Sequence, residues 1–242
     1  MNPRPYRSPR RDAAATRTRA RIVAAAAAVL GTPEGIGGFS LEAVARKAGV
    51  TRLTVYNQFG SRRALLEAVF DERAARGGLH RIAEAMAASD PHAGLLQVIA
   101  IFCDFWSYDP RALGRLHAAG ASDPEFDASV RERNERRRRL LSVLVGRMAE
   151  GVHPRPKALG NLVDVLFALT SFPFFSQLTA GARTAKAACG LIQGLAGDAV
   201  RRTMGHQIDG FGDLRTWVGY PQDQERNQTR VATRTSAMGS RD

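Results

Sequence analysis

The chain has 242 residues, 44% of them hydrophobic and only 7% aromatic, with alanine abundant, which leaves room for a medium domain plus a small one and leans toward helices rather than sheets. Its net charge of +12 is concentrated, because residues 1–63 carry twelve lysines and arginines against Asp12, Glu34 and Glu42. That excess excludes an acidic solvating chain and favours a polyanionic partner for the N-terminal part, either nucleic acid or an anionic membrane surface.

Residues 1–15 hold three prolines without helical periodicity and read as a disordered basic arm. From Thr16, Ile22, Ala26, Val29 and Leu30 fall on one helix face, and Gly31 and Pro33 stop it. Ser40 stands at the N-cap of a short second helix with a Leu41, Val44, Ala45, Ala48 stripe, ended by Gly49. Thr51 caps a third helix, from about Arg52 to Gln58, that offers Val55 and Phe59 to the core and leaves at Gly60. Ser61 caps a fourth, near 62–76, with Leu65, Leu66, Val69 and Phe70 facing inward. Further helices are predicted near 79–88, 92–108, 110–120, 124–150, 156–180 and 184–205, separated by Gly77-Gly78, Asp90-Pro91, Asp109-Pro110, Asp123-Pro124 and Pro154-Arg-Pro156. The expected fold class is therefore all-α, with residues 206–242 a polar tail, disordered from Gln222 onward.

The second and third helices meet the requirements of a helix-turn-helix. Ala45 is small where a second helix must cross, Gly49 suits a left-handed turn, and Val55 fills the angle between the helices. The third helix then leaves Arg52, Thr54, Tyr56, Asn57 and Gln58 unburied. Arginine can fork onto guanine, asparagine or glutamine onto adenine, and threonine can touch a thymine methyl or a phosphate, so this face reads as one built for the major groove rather than as a merely solvated surface.

Residues 16–70, above all FSLEAVARKAGVTRLTVYNQFGSRRALLEAVF, resemble the DNA-binding domain of the TetR family of bacterial transcriptional regulators. Ala45, Gly49-Val50, Tyr56, Phe59 and Leu65-Leu66 fall where that pattern puts them; a lysine is usual where Arg62 stands, and an aromatic or histidine is common at Asn57. The resemblance implies a three-helix DNA-binding head over residues 16–62 and a larger helical effector-binding and dimerisation body over 63–205. It also implies that Thr51, Arg52, Thr54, Asn57 and Gln58 approach the groove, that Tyr56 hydrogen-bonds a phosphate, and that Ser40 and Arg62 bind backbone phosphates. Two heads of a homodimer would read a palindromic operator in double-stranded DNA, in major grooves about 34–36 Å apart. The arm with Arg4, Arg7, Arg10 and Arg11 could track phosphates or enter the minor groove, or remain a solvated tail.

For the body, the residues carry the reading. Phe102, Phe105 and Trp106, with Phe167 and Phe174 and the polar His117 and Thr170, suit a pocket for a mostly apolar small effector, although plain core packing explains each residue singly. Pro173, taken as lying within the 156–180 helix, is expected to bend it and open space beside it. The last helix is rich in alanine and glycine, so it and the one before it are expected to form the homodimer interface. The run Arg131–Arg139 (RERNERRRR) reads as a solvated helix face, with Glu132 pairing to Arg136 and Glu135 to Arg139, rather than as a second anion site.

Cys103 and Cys189 each lie in an apolar run, which suggests neither a metal site nor a disulfide framework and favours a reduced, cytoplasmic setting. The N-terminus lacks the apolar core of a signal peptide, and Asn161, Asp164, Pro173 and Gln177 interrupt the apolar stretch from Ala158 to Ala180, against a membrane span. There is no nucleophile elbow, no phosphate-cradling glycine loop and no metal-spaced His/Cys cluster, so neither an enzyme nor a cofactor is expected. The function expected is a ligand-responsive DNA-binding regulator, a repressor released from its operator by its effector; the alternative is a sequence-independent architectural DNA-binding protein.

Overall fold

In a computed structural model, residues 9–120 and 124–205 are described. They form eleven α-helices: α1 (Pro9–Leu30), α2 (Leu41–Ala48), α3 (Arg52–Phe59), α4 (Arg62–Arg76), α5 (Ile82–Ala87), α6 (Pro91–Tyr108), α7 (Pro110–Gly120), α8 (Pro124–Met148), α9 (Pro156–Leu169), α10 (Phe172–Thr179) and α11 (Ala185–Met204). A single 3-10 turn, Leu79–Arg81, precedes α5, dividing what the sequence presents as one helix near 79–88. Residues 1–8, with Arg4 and Arg7, and the tail 206–242 lie outside the described residues.

Two boundaries differ from expectation. Helix α1 begins at Pro9, seven residues before Thr16, so the latter part of the expected disordered arm is helical. Proline is tolerated in a first turn, where its missing N–H has no partner anyway, and Ala13 to Ala15 are strong helix formers. The expected 156–180 helix is two helices with a 50° bend between them. The break falls at Thr170 and Ser171, not at Pro173, because the Ser171 hydroxyl accepts from the Phe174 amide at 3.4 Å and starts a new helix. Pro173 therefore occupies a first-turn position and bends nothing.

The expected caps are present. Ser40, Thr51 and Ser61 have extended backbones, and their hydroxyls accept from Ala43, Thr54 and Ala64 amides at 3.0, 3.1 and 3.1 Å. Asp90 caps α6 by accepting from the His92 and Ala93 amides. Each satisfies donors that a helix start leaves orphaned, typically about 1 kcal/mol per cap.

One continuous apolar core runs from Ile22 in α1 to Met204 in α11. Helix α1 packs on α2 and α4, and α4 continues into the body against α6 and α8; α6 lies among α8, α10 and α11. Phe105, fully buried, meets Phe70 of α4 edge-on at 5.6 Å between ring centroids and Trp106 at 4.4 Å. Gly77 permits this approach, since a Cβ there would stand 2.7 Å from the Phe105 ring and 2.9 Å from the Arg73 carbonyl. Cys103 of α6 is a buried free thiol and Cys189 of α11 a half-buried one. Among the described residues no single helix is long and apolar enough to cross a membrane; α9 and α10 reach the required length only together, across their bend.

Candidate nucleic-acid interface and body cavity

The geometry of the head follows from three positions. Ala45 and Val55 are buried at the crossing of α2 and α3. Gly49 has φ 64°, and its missing side chain faces open space, so the left-handed backbone and not crowding demands glycine. The Val50 amide closes the turn by donating to the Ala45 carbonyl at 3.0 Å.

With Val55 and Phe59 turned into the core, α3 presents Arg52, Leu53, Tyr56 and Asn57 to solvent. Leu53 is 66% exposed and Tyr56 55%. Gln58 and Thr54 are half-buried. The Thr51 and Thr54 hydroxyls bond to each other at 2.9 Å, so neither is idle before any ligand arrives. Ser40, Arg52 and Arg62 surround one open concavity at the starts of α2 and α3, together with Leu41 and Glu42. Arg62 is half-buried there: its guanidinium donates to the Phe39 carbonyl at 3.2 Å and the Ile36 carbonyl at 3.4 Å and lies over the Phe39 ring. It thus ties the start of α4 to the loop before α2, besides edging the exposed concavity.

Two contributors escape the sequence reading. Leu53 is an apolar side chain off the Val55–Phe59 stripe, and that displacement is its signal. Arg19 of α1 donates to the Gln58 carbonyl at 2.8 Å and stacks 4.2 Å above the Phe59 ring, bracing the C-terminal end of α3 where a cation is favoured. Its place in the basic first quarter hides this role.

This head matches the family model described as bacterial regulatory proteins, tetR family, over residues 22–69. The whole fold is similar to that of a TetR-like transcriptional regulator from Rhodococcus sp. RHA1, with a TM-score of 0.61 at 20% identity, covering 76% of this chain and 95% of that one. A Mesorhizobium loti MAFF303099 protein assigned to the TetR family gives a TM-score of 0.55 at 20% identity, covering 78% and 96%. No curated protein matches the chain. The likeness to the family model is confined to the head, residues 22–69, whereas the likeness to the solved structures is one of fold and extends through the helical body.

The body holds a cleft of about 310 Å³ between α4, the turn before α5, α6 and α8. Of the expected effector residues, Phe102, Phe105 and Trp106 line it. The remaining four lie away from its walls. Phe167 stacks on Arg137 at 4.3 Å, Thr170 is buried with its carbonyl accepting from Arg137 and from the Trp106 indole, Phe174 is half-buried, and His117 rests against Phe172. Burial and the charge of Arg137 hold the His117 pKa below its ordinary value. Among the described residues no group of three or more His, Cys, Asp or Glu side chains could hold a metal ion.

The basic run of α8 corrects the expectation of a wholly solvated face. Arg133, Asn134, Arg136 and Arg137 line the cleft, and Arg137 is only 7% exposed. Glu132 pairs with Arg136 at 2.6 Å as expected, but Glu135 reaches Arg138 at 4.0 Å rather than Arg139. The physical reason is register: Phe126, Val130, Leu141, Leu144 and Met148 form the inward stripe of α8, and positions 133 and 137 fall on it.

Proposed function

We propose that this chain is a repressor that reads a palindromic operator with α3 and is released by a small effector bound in the body. The observation that carries the reading is the exposed Arg52, Leu53, Tyr56 and Asn57 face of a helix whose opposite side is locked into a helix-turn-helix. Arg52 suits a guanine edge, Asn57 or Gln58 an adenine, and Leu53 a thymine methyl; Tyr56 and Ser40 suit phosphates, with Thr51, Thr54 and Arg62 holding the register.

A dimer through α9 and α11 is supported by Val165, Leu191 and Leu195, which remain 37–43% exposed beside the small Gly190 and Gly194. Such apolar residues on adjacent helices suit a helix-bundle interface. The route from effector to DNA is α4. Its start is tied by Arg62 to the loop before α2, while Phe70, Asp71 and Ala74 on its second half line the cleft. An occupant that displaces α4 moves the head, and a swing from 99:1 bound to 1:99 requires about 5.5 kcal/mol of differential effector binding.

Fluorescence anisotropy against duplexes from the chain's own upstream region, beside scrambled duplexes at one near-physiological salt, tests this. One fragment should bind about a thousandfold or more tighter than scrambled DNA. Arg52→Ala should cost about 1–3 kcal/mol of that preference. Equal affinity for every duplex would establish the architectural reading instead.

A further inference from the structure

The cleft between α4, α6 and α8 is apolar over most of its wall, yet its α8 side is cationic. Phe70, Ala74, Leu79, Ile82, Phe102, Phe105, Trp106 and Leu140 supply the apolar part, while Arg133, Arg136 and Arg137 bring three positive charges against Asp71 alone. Those charges are not equivalent. Arg133 is engaged by Asp71 at 2.5 Å and lies over the Phe70 ring, and Arg136 is paired with Glu132. Arg137 is the most deeply buried of the three and has no carboxylate within salt-bridge distance among the described residues.

What Arg137 does have falls short of satisfying it. One terminal nitrogen donates to the Thr170 carbonyl at 2.7 Å and the other to Asn134 Oδ1 at 3.3 Å; its Nε–H is buried with no acceptor. The rings of Phe102 and Phe167, 5.7 and 4.3 Å from the guanidinium carbon, compensate only weakly for lost hydration. Burial, with the adjacent Arg138 adding repulsion, draws its pKa down to about 10, which leaves it charged at neutral pH. A buried charge without a counter-charge is costly, and a cavity wall is where a ligand can supply what the protein withholds.

We infer that the effector cleft takes an apolar monoanion, an aliphatic or aromatic carboxylate, whose carboxylate is held by Arg137 while its hydrocarbon part lies against Phe102, Phe105 and Trp106. This rests on the reading of the body as an effector domain. One unmatched positive charge calls for one negative charge, and a largely aromatic cleft of about 310 Å³ suits a hydrocarbon body rather than a bare inorganic ion. The same contact reaches the DNA-binding head, because Arg133 and Asp71 bridge α8 to α4 across the cleft that the ligand would occupy.

The probes are hexanoate, decanoate, benzoate and 2-naphthoate, each beside its matched alcohol, titrated into the full chain carrying Trp217→Phe so that Trp106 fluorescence reports the cleft alone. At least one carboxylate should bind about tenfold or more tighter than its alcohol, the gain expected from a charge-assisted hydrogen bond. Arg137→Gln, which keeps amide donors but removes the charge, should bring the carboxylate down to its alcohol's affinity while leaving the alcohol's own affinity in place. The acid-to-alcohol comparison in the Arg137-containing protein stands even if that variant fails to fold. Equal binding of acid and alcohol throughout, binding of no carboxylate, or a preference that persists in Arg137→Gln overturns the inference. Operator anisotropy on the same preparation separates the two failures. Selective DNA binding without carboxylate preference removes this inference alone, whereas equal binding to all duplexes removes the regulator reading beneath it.

Discussion

Helices α3 and α8 both carry arginines beside apolar residues, and they put them to opposite uses. In α3 the buried positions, Val55 and Phe59, are four apart, and Arg52 stays outside on the face with Tyr56 and Asn57. In α8 the inward stripe continues straight through the basic run, so Arg137 is enclosed between Phe102 and Phe167 with its Nε unpaired. A cation on a free face needs only water and awaits an external anion, whereas one on a buried stripe has lost its water before any anion arrives. Position relative to the core decides which of the two an arginine becomes.

The largest effect should come from breaking the frame that exposes the α3 face. Val55→Asp places a charge at the fully buried crossing of α2 and α3 and should cost roughly 3–5 kcal/mol of head stability. Operator binding should be abolished, while Trp106 fluorescence and the oligomeric state by light scattering stay close to those of the parent chain. Retained operator affinity would detach DNA binding from the helix-turn-helix.

The next sharpens the contrast between the two arginines. Arg137→Met removes an uncompensated buried charge and keeps an unbranched side chain against Phe102 and Phe167. By the usual outcome of replacing buried charges with apolar groups, stability to denaturant should be unchanged or raised by about 1–4 kcal/mol. Arg52→Met, on the exposed face, should move stability by less than about 0.5 kcal/mol. A marked loss in the first would mean that the Thr170 and Asn134 contacts outweigh the cost of the charge.

A smaller loss is expected at the brace. Arg19→Ala removes the hydrogen bond to the Gln58 carbonyl and the stacking on Phe59, worth together about 1–2 kcal/mol. Operator affinity should fall less than in Arg52→Ala, since Arg19 supports α3 and does not extend its face.

The smallest effect is in pH. With the folded-state pKa of His117 held below its ordinary value by burial and by Arg137, the unfolded chain takes up a proton that the folded chain refuses once the pH drops below about 6.5. This contribution is flat above that pH and falls below it. The ring is partly open to solvent, so the decline is modest, and thermal melts of His117→Gln should lack this component of it.

Much of the head is legible in the sequence because its determinants are local. Ser40, Thr51 and Ser61 cap the helices they precede, and Gly49 adopts the left-handed turn. Where tertiary contact decides, the sequence is less explicit. The basic run of α8 looks solvated until Phe126, Val130, Leu141 and Leu144 are seen to share a stripe with Arg133 and Arg137. Pro173 looks like a kink until Ser171 is found capping a new helix. Phe167 and Phe174 belong to the same aromatic cluster as Phe102 by composition, yet they do not line the cleft: Phe167 lies on the far side of the Arg137 guanidinium, and Phe174 follows the bend after α9.

Hydroxyl-radical footprinting of the full chain on its preferred duplex tests the central claim most directly. If α3 of each protomer reads a half-site, two protected patches should appear on one face of the duplex, about 34–36 Å apart. Arg52→Ala should weaken both patches together. Uniform protection, unchanged by that substitution, would contradict the account and leave net charge as the source of binding.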